Sequence, residues 1–189
     1  TNDLRAIDNL DRVSVLYVEN FTYYFGSLKF ANNPVKELYV LYSDDYEGLA
    51  KDSNVLDVDA KLASNLKDNE VIVSNYFKEI YDLKIGDIVV LNGINEEERF
   101  TTETPMNLKI VGFADTSGTS HLSIILSEKI VEDIIPYFSE QHYFVQMSKD
   151  AKVKDVKKDI MKTLTNTMPQ VLTKKDYIEL TKESMEQIY

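Results

Sequence analysis

The sequence predicts an α+β fold in which short helices pack on a mixed or mostly antiparallel sheet. Three observations carry this expectation. Apolar, β-branched runs of strand length recur along the chain, at residues 13–18, 38–42, 71–74, 88–91, 108–113 and 121–126. Between them lie segments with room for only two or three helical turns, opened by capping serines at Ser74 and Ser127. The final third alternates more regularly, with Val153, Val156, Ile160 and Leu164 recurring on one helical face.

The elements follow in order. The first sixty residues read as strands separated by turns: the run 13–18, then four aromatics in the five positions 21–25, a turn at Asn32-Asn33-Pro34, and the strand 38–42. Asp44 and Glu47 have the spacing of a reciprocal cap, which places a short helix through Ala50. Leu62 to Leu66 reads as a helical turn before the strand 71–74. Ser74 then caps a helix carrying Tyr76, Phe77, Ile80 and Tyr81, which must stop near Leu83 because Gly86-Asp87 turns the chain into another strand. Asn92-Gly93 has the composition of a tight turn, followed by the acidic connection Glu96, Glu97, Glu98 and the strand 108–113. The polar loop Asp115 to Ser120 leads into the strand 121–126. Ser127 caps a helix with Ile130, Val131, Ile134 and Ile135 facing inward, ended by Pro136. A strand over 143–147, the helix from Val153, and a last helix capped by Thr173 and Asp176 complete the chain.

Bulk properties set the function classes. With 189 residues, 43% of them hydrophobic, one domain with a sizeable core and two small lobes both fit. The absence of cysteine removes disulfides, thiolate nucleophiles and cysteine metal sites together. A net charge of −11 repels a phosphate backbone, and Lys152, Lys154, Lys157 and Lys158 are interleaved with Asp150, Asp155 and Asp159 as on a solvated helix face, so nucleic acid is not an expected partner. No apolar run approaches the roughly 18 to 20 residues of a membrane span. Thr1 is not followed by the three regions of a signal peptide, so membrane attachment is expected only outside these residues.

Little in the chain points to catalysis. The two histidines, His121 and His142, stand in no zinc-binding spacing. Asp115-Thr116-Ser117-Gly118 has one residue too many for an aspartic-protease signature and no second copy to share a proton with. Ser117 lacks a nucleophile elbow, and six scattered glycines form no phosphate loop. No cofactor or metal is expected. The tyrosines Tyr17, Tyr23, Tyr24, Tyr39 and Tyr42 offer an amphipathic aromatic surface or half-buried strand positions.

The segment 71–91, VIVSNYFKEIYDLKIGDIVVL, resembles the central signature of extracytoplasmic domains in FtsX/MacB-like permeases of ABC transporters: strand and serine, short helix, Gly-Asp turn, second strand. Residues 108–113 resemble that family's Val-Val-Gly strand, and residues 120–127, 143–147, 153–164 and 171–173 follow in the family's order. The likeness covers residues 68–189 well and 10–60 by general character. It implies the MacB periplasmic core fold, an external location on a bacterial membrane, flanking transmembrane helices outside the 189 residues, a separate cytoplasmic ATPase, and a permease that can dimerise. It also implies an external peptide, lipid or protein as the partner engaged. The final helix, through Tyr177, Leu180, Ser184 and Ile188, is then the mechanical connection. Glu96, Glu97, Glu98, Asp115, Thr116, Ser117 and Ser120 are the candidate external contacts. The alternative reading is a stand-alone or receptor-attached extracellular module that binds a ligand in a tyrosine-lined pocket.

Overall fold

The computed structural model describes residues 2–93, 104–164, 171–173, 175–176 and 179. The chain forms two compact units, one of residues 13–145 and one of residues 1–12 with 146–189. In chain order the elements are α1 (Asn2–Arg5), β1 (Leu10–Asn20), α2 (Phe21–Tyr24), β2 (Gly26–Phe30), β3 (Asn33–Pro34), β4 (Tyr39–Ser43), α3 (Tyr46–Asp52), α4 (Ala60–Ser64) and β5 (Glu70–Ser74). They continue with α5 (Asn75–Ile80), β6 (Ile88–Gly93), β7 (Thr104–Ala114), β8 (Ser123–Leu126), α6 (Glu128–Ile134), β9 (Glu140–Met147) and α7 (Val153–Thr163).

The strands form a nine-stranded sheet in the order β3-β2-β6-β7-β5-β8-β4-β1-β9. It is mixed and mostly antiparallel, the parallel pairs being β4 with β8 and β5 with β7. Neighbouring residues of the central strands belong to opposite faces: Val71 and Val73 of β5, Ile124 and Leu126 of β8, and Val40 of β4 join one hydrophobic cluster, while Ile72, Ile125 and Leu41 join the other. Both faces are covered, which is why these strands read as unbroken apolar runs and not as alternating ones. Phe21 and Phe25 at the two ends of α2, Phe77 of α5, and Ile130 and Val131 of α6 cover the first face. Tyr46 and Leu49 of α3 and Ala63 of α4 cover the second.

The serine caps act as expected, with Ser74 Oγ accepting from Phe77 N at 3.3 Å and Ser127 Oγ accepting from Ile130 N at 3.3 Å. Gly86 turns the chain at φ +96°, a conformation that side-chain-bearing residues rarely adopt. Three local expectations are corrected. Residues 21–24 form a helical turn, because the four-residue spacing places both Phe21 and Phe25 in the core, where their rings lie 6.5 Å apart. The cap of α3 is Asp45 instead of Asp44: its carboxylate accepts from Gly48 N at 2.9 Å, and its own N–H donates to Ser43 Oγ. Asn92-Gly93 is no turn. Both residues extend β6, paired on one side with Ser27 and Gly26 of β2 and on the other with Pro105 and Thr104 of β7, and this two-sided pairing overrides the local turn preference.

In the smaller unit, α1 lies against α7, and Leu4, Val156 and Ile160 are buried. Val153 is exposed, so it does not share the buried stripe expected of it. Ser148 Oγ donates to Asp11 and Arg12 donates to Gln146. The cap expected at Thr173 is reciprocal: Thr173 N donates to Asp176 Oδ2 and Asp176 N to Thr173 Oγ1, each at 3.1 Å. The bond from Thr173 N, and then the Thr173 side chain, hold the Asp176 carboxyl below its usual range.

Candidate contact surface around the Asp115 to Ser120 loop

The loop Asp115 to Ser120 leaves the end of β7 and enters β8, and its own side chains fix its shape. Asp115 Oδ1 accepts from Ser117 Oγ at 2.6 Å and Ser117 N at 3.0 Å, an arrangement that holds the carboxyl below its usual range by stabilising the anion. The Asp115 backbone pairs with Asp57 in an antiparallel bridge, two 2.9 Å bonds that fasten the loop to the segment before α4. Thr116 is buried and donates to the Ser120 carbonyl at 2.6 Å, to which Ser123 Oγ also donates at 2.7 Å. At Gly118 a Cβ would stand 2.7 Å from the Val55 backbone, so only glycine fits there without movement.

Of the residues expected to make external contacts, Asp115, Thr116 and Ser117 line one shallow cleft of about 50 Å³ together with Ser74, Asn75, Tyr76 and His121. Ser120 stands just outside as an anchor, its carbonyl and hydroxyl both spent within the loop. The last four cleft residues were not foreseen as a site. Ser74 is read from sequence as a cap and Tyr76 as a helix-face residue, yet Ser74 Oγ also donates to the His121 carbonyl at 2.6 Å. The Tyr76 and His121 rings meet edge-on at 4.4 Å. Nothing in the local sequence couples position 74 to position 121; the antiparallel pairing of β5 with β8 does so. Glu96, Glu97 and Glu98 lie outside the described residues, as do Tyr177, Leu180, Ser184 and Ile188.

The Ser117 hydroxyl donates to the Asp115 carboxylate, an acceptor too weakly basic to take its proton as a general base. A cleft of about 50 Å³ accommodates the tip of one side chain and not an enclosed substrate. Among the described residues no three His, Asp or Glu side chains come together as metal ligands. From the cleft residue Tyr76 onward, α5, the following turn and the start of β6 expose Tyr76, Ile80, Ile85 and Ile88, each at least 41% accessible. Of the first-half tyrosines, Tyr17 and Tyr42 stack at 6.1 Å, Tyr39 is half-buried and Tyr23 stands out at 72% exposure, while the Tyr24 side chain lies outside the described ones.

The fold is similar to that of MacB/FtsX-like periplasmic domains. The periplasmic region of MacB from Actinobacillus actinomycetemcomitans superposes with a TM-score of 0.58 at 15% identity, over 96% of this chain and 80% of that one. The extracellular domain of the noncanonic ABC-type transporter YknZ from Gram-positive bacteria gives 0.55 at 14% identity, over 87% and 80%. A domain of a putative permease protein from Porphyromonas gingivalis gives 0.50 at 8%, over 93% and 72%. No protein-family model matches the chain, and no curated protein matches it.

Proposed function

We propose that the chain is the external domain of an ABC-type transporter permease, a non-catalytic body that couples membrane-helix movement, driven by a separate cytoplasmic ATPase, to engagement of an external peptide, lipid or protein. The observation that carries this reading is the fold likeness to the MacB and YknZ external regions over most of both chains. Beside it, the loop Asp115 to Ser120 spends its polar side chains on its own hydrogen bonds and so presents a fixed surface to a partner. In this reading, helix displacement enters through the segment carrying Tyr177, Leu180, Ser184 and Ile188. Asp115 to Ser120, with Tyr76 and His121, form the outward contact, and Glu96 to Glu98 add an acidic one. The parent permease works as a dimer.

No helix among the described residues is long and apolar enough to cross a membrane, so the reading requires spans elsewhere in the parent polypeptide. The 189 residues hold no cysteine, so once any cysteine elsewhere in the parent is replaced an introduced thiol reports on this domain alone. Ser117→Cys in the parent protein places one thiol on an exposed loop. A membrane-impermeant maleimide is expected to label it in intact cells, after removal of any outer membrane. Labelling only after lysis, or a parent without spans on either side of these residues, overturns the assignment.

A further inference from the structure

Helix α7 carries a charge pattern that its sequence conceals. Along the chain, Lys152, Lys154, Lys157 and Lys158 alternate with Asp150, Asp155 and Asp159. Around the helix the two signs separate, because residues four apart stack on one face. Val156 and Ile160 form the buried row. Beside it runs the row Val153, Lys157 and Met161, and beside that the row Lys154, Lys158 and Lys162. Asp155 and Asp159 lie on the row beyond, between the lysines and the buried face. Two adjacent rows thus hold four lysines and two apolar side chains and no carboxylate.

Three observations point to the partner of this surface. Lys154, Lys158 and Lys162 are exposed and form no ion pair among the described residues, whereas the Lys157 ammonium lies 3.8 Å from Asp176. Val153 and Met161, on the row next to those lysines, are 42% and 48% exposed, so the helix presents apolar area and positive charge together. The charge of the chain is also unevenly divided. Residues 1–12 and 146–189 hold eleven basic and ten acidic side chains, and residues 13–145 hold ten and twenty-two. The smaller unit is therefore the one that meets an anionic surface without net repulsion.

We propose that this face of α7 docks on an anionic lipid bilayer. The ammonium groups of Lys154, Lys158 and Lys162 sit among headgroup phosphates, and Val153 and Met161 reach the apolar boundary beneath them. The exposed apolar pair favours a bilayer over a soluble polyanion, which offers charge and no hydrocarbon. Charges farther than about 10 Å from the contact are screened at about 0.1 M salt, so the two local rows and not the net charge of −11 govern the encounter. The proposal goes beyond the permease reading and does not rest on it, because vesicles test the 189-residue chain whatever its parent.

The test is flotation of that chain with vesicles of phosphatidylcholine alone and of phosphatidylcholine mixed equally with phosphatidylglycerol, at low and at physiological salt. Binding is expected to the mixed vesicles only, and it should weaken as salt rises. The triple variant Lys154→Gln, Lys158→Gln and Lys162→Gln alters only exposed side chains. It is expected to bind about tenfold more weakly or worse, since each lysine near an anionic membrane contributes about fivefold. The matched variant Lys61→Gln, Lys67→Gln and Lys84→Gln removes the same charge from exposed positions of the larger unit and is expected to bind as the unaltered chain does. Val153→Ser with Met161→Ser is expected to weaken binding several-fold. Failure of the unaltered chain to float with the mixed vesicles at low salt overturns the proposal without recourse to any variant. So does an equal loss in the two triple variants, or a folded α7 triple variant that floats as before. A serine pair that floats undiminished overturns the bilayer as partner and assigns the lysines to a soluble polyanion.

Discussion

Replacing Tyr46 by phenylalanine is expected to stabilise the protein, an unusual sign for a change in a buried core position. The ring belongs to the cluster formed with Leu16, Leu41 and Leu49, and it meets Tyr42 edge-on at 6.5 Å, contacts that phenylalanine retains. What the change removes is a hydroxyl that is withdrawn from water and, among the described residues, has no partner of hydrogen-bond geometry, the Ser43 backbone acting on the oxygen only weakly. A buried unpaired hydroxyl costs about 1–3 kcal/mol. The space left by one oxygen returns part of that, since cavities are themselves unfavourable. The net expectation is a gain of about 1 kcal/mol, or a rise in melting temperature of about 2–4 °C for a chain of this size. Urea unfolding measures it directly: the midpoint should rise while the slope against denaturant stays constant. The same burial holds the Tyr46 phenol above its ordinary value of 10.0. Stability from this group is therefore full below that value and lost as pH rises beyond it, and the variant should be less sensitive to alkali. A loss of about 1 kcal/mol or more in the variant would refute the reasoning, because it would mean that the Ser43 bond is real and worth a normal buried hydrogen bond.

Three further outcomes are expected. Phe77→Ala should cost about 3–5 kcal/mol by chemical denaturation, since Phe77 is 2% exposed and sits 5.1 Å from Phe30. Ser117→Ala should move the Asp115 carboxyl up toward its usual range in a carbon-13 NMR titration, because the lowering comes chiefly from the Ser117 hydroxyl. The contribution of Asp115 to stability, present above the usual carboxylate range and lost as pH falls through its lowered value, should then shrink. Phenolate absorbance of Tyr42 should develop near pH 12 in the folded protein instead of near its ordinary 10.0. The matching stability is present below pH 10 and lost between the two values, and Tyr42→Phe should remove that step from the titration.

Much of the fold was legible because the signals involved are local. The strand runs around β5, β7 and β8, the serine caps of α5 and α6, the turn at Gly86 and the cap at Thr173 each depend on residues within a few positions of one another. The readings that needed correction share the opposite property. Asn92-Gly93 carries turn chemistry, yet two flanking strands hold it extended. The aromatics after Asn20 coil into a single helical turn because the core accepts Phe21 and Phe25 and leaves Tyr23 in solvent. Of the candidate contact residues, the loop Asp115 to Ser117 was found from its polarity, whereas Tyr76 and His121 join it only through strand pairing.

By itself, then, the amino-acid order determined the class of fold, the serine caps of α5 and α6 and the turn at Gly86, since those depend on side-chain periodicity and on hydrogen bonds made a few residues away. Tertiary structure alone decided the order of the nine strands, the joining of Ser74 to His121, and the closing of Tyr42, Tyr46, Asp68 and Glu128 around one cleft. Those juxtapositions bring together residues tens of positions apart. Their free energy comes from the apolar clusters on both faces of the sheet, which fix where each strand lies regardless of what the polar residues at its ends will meet.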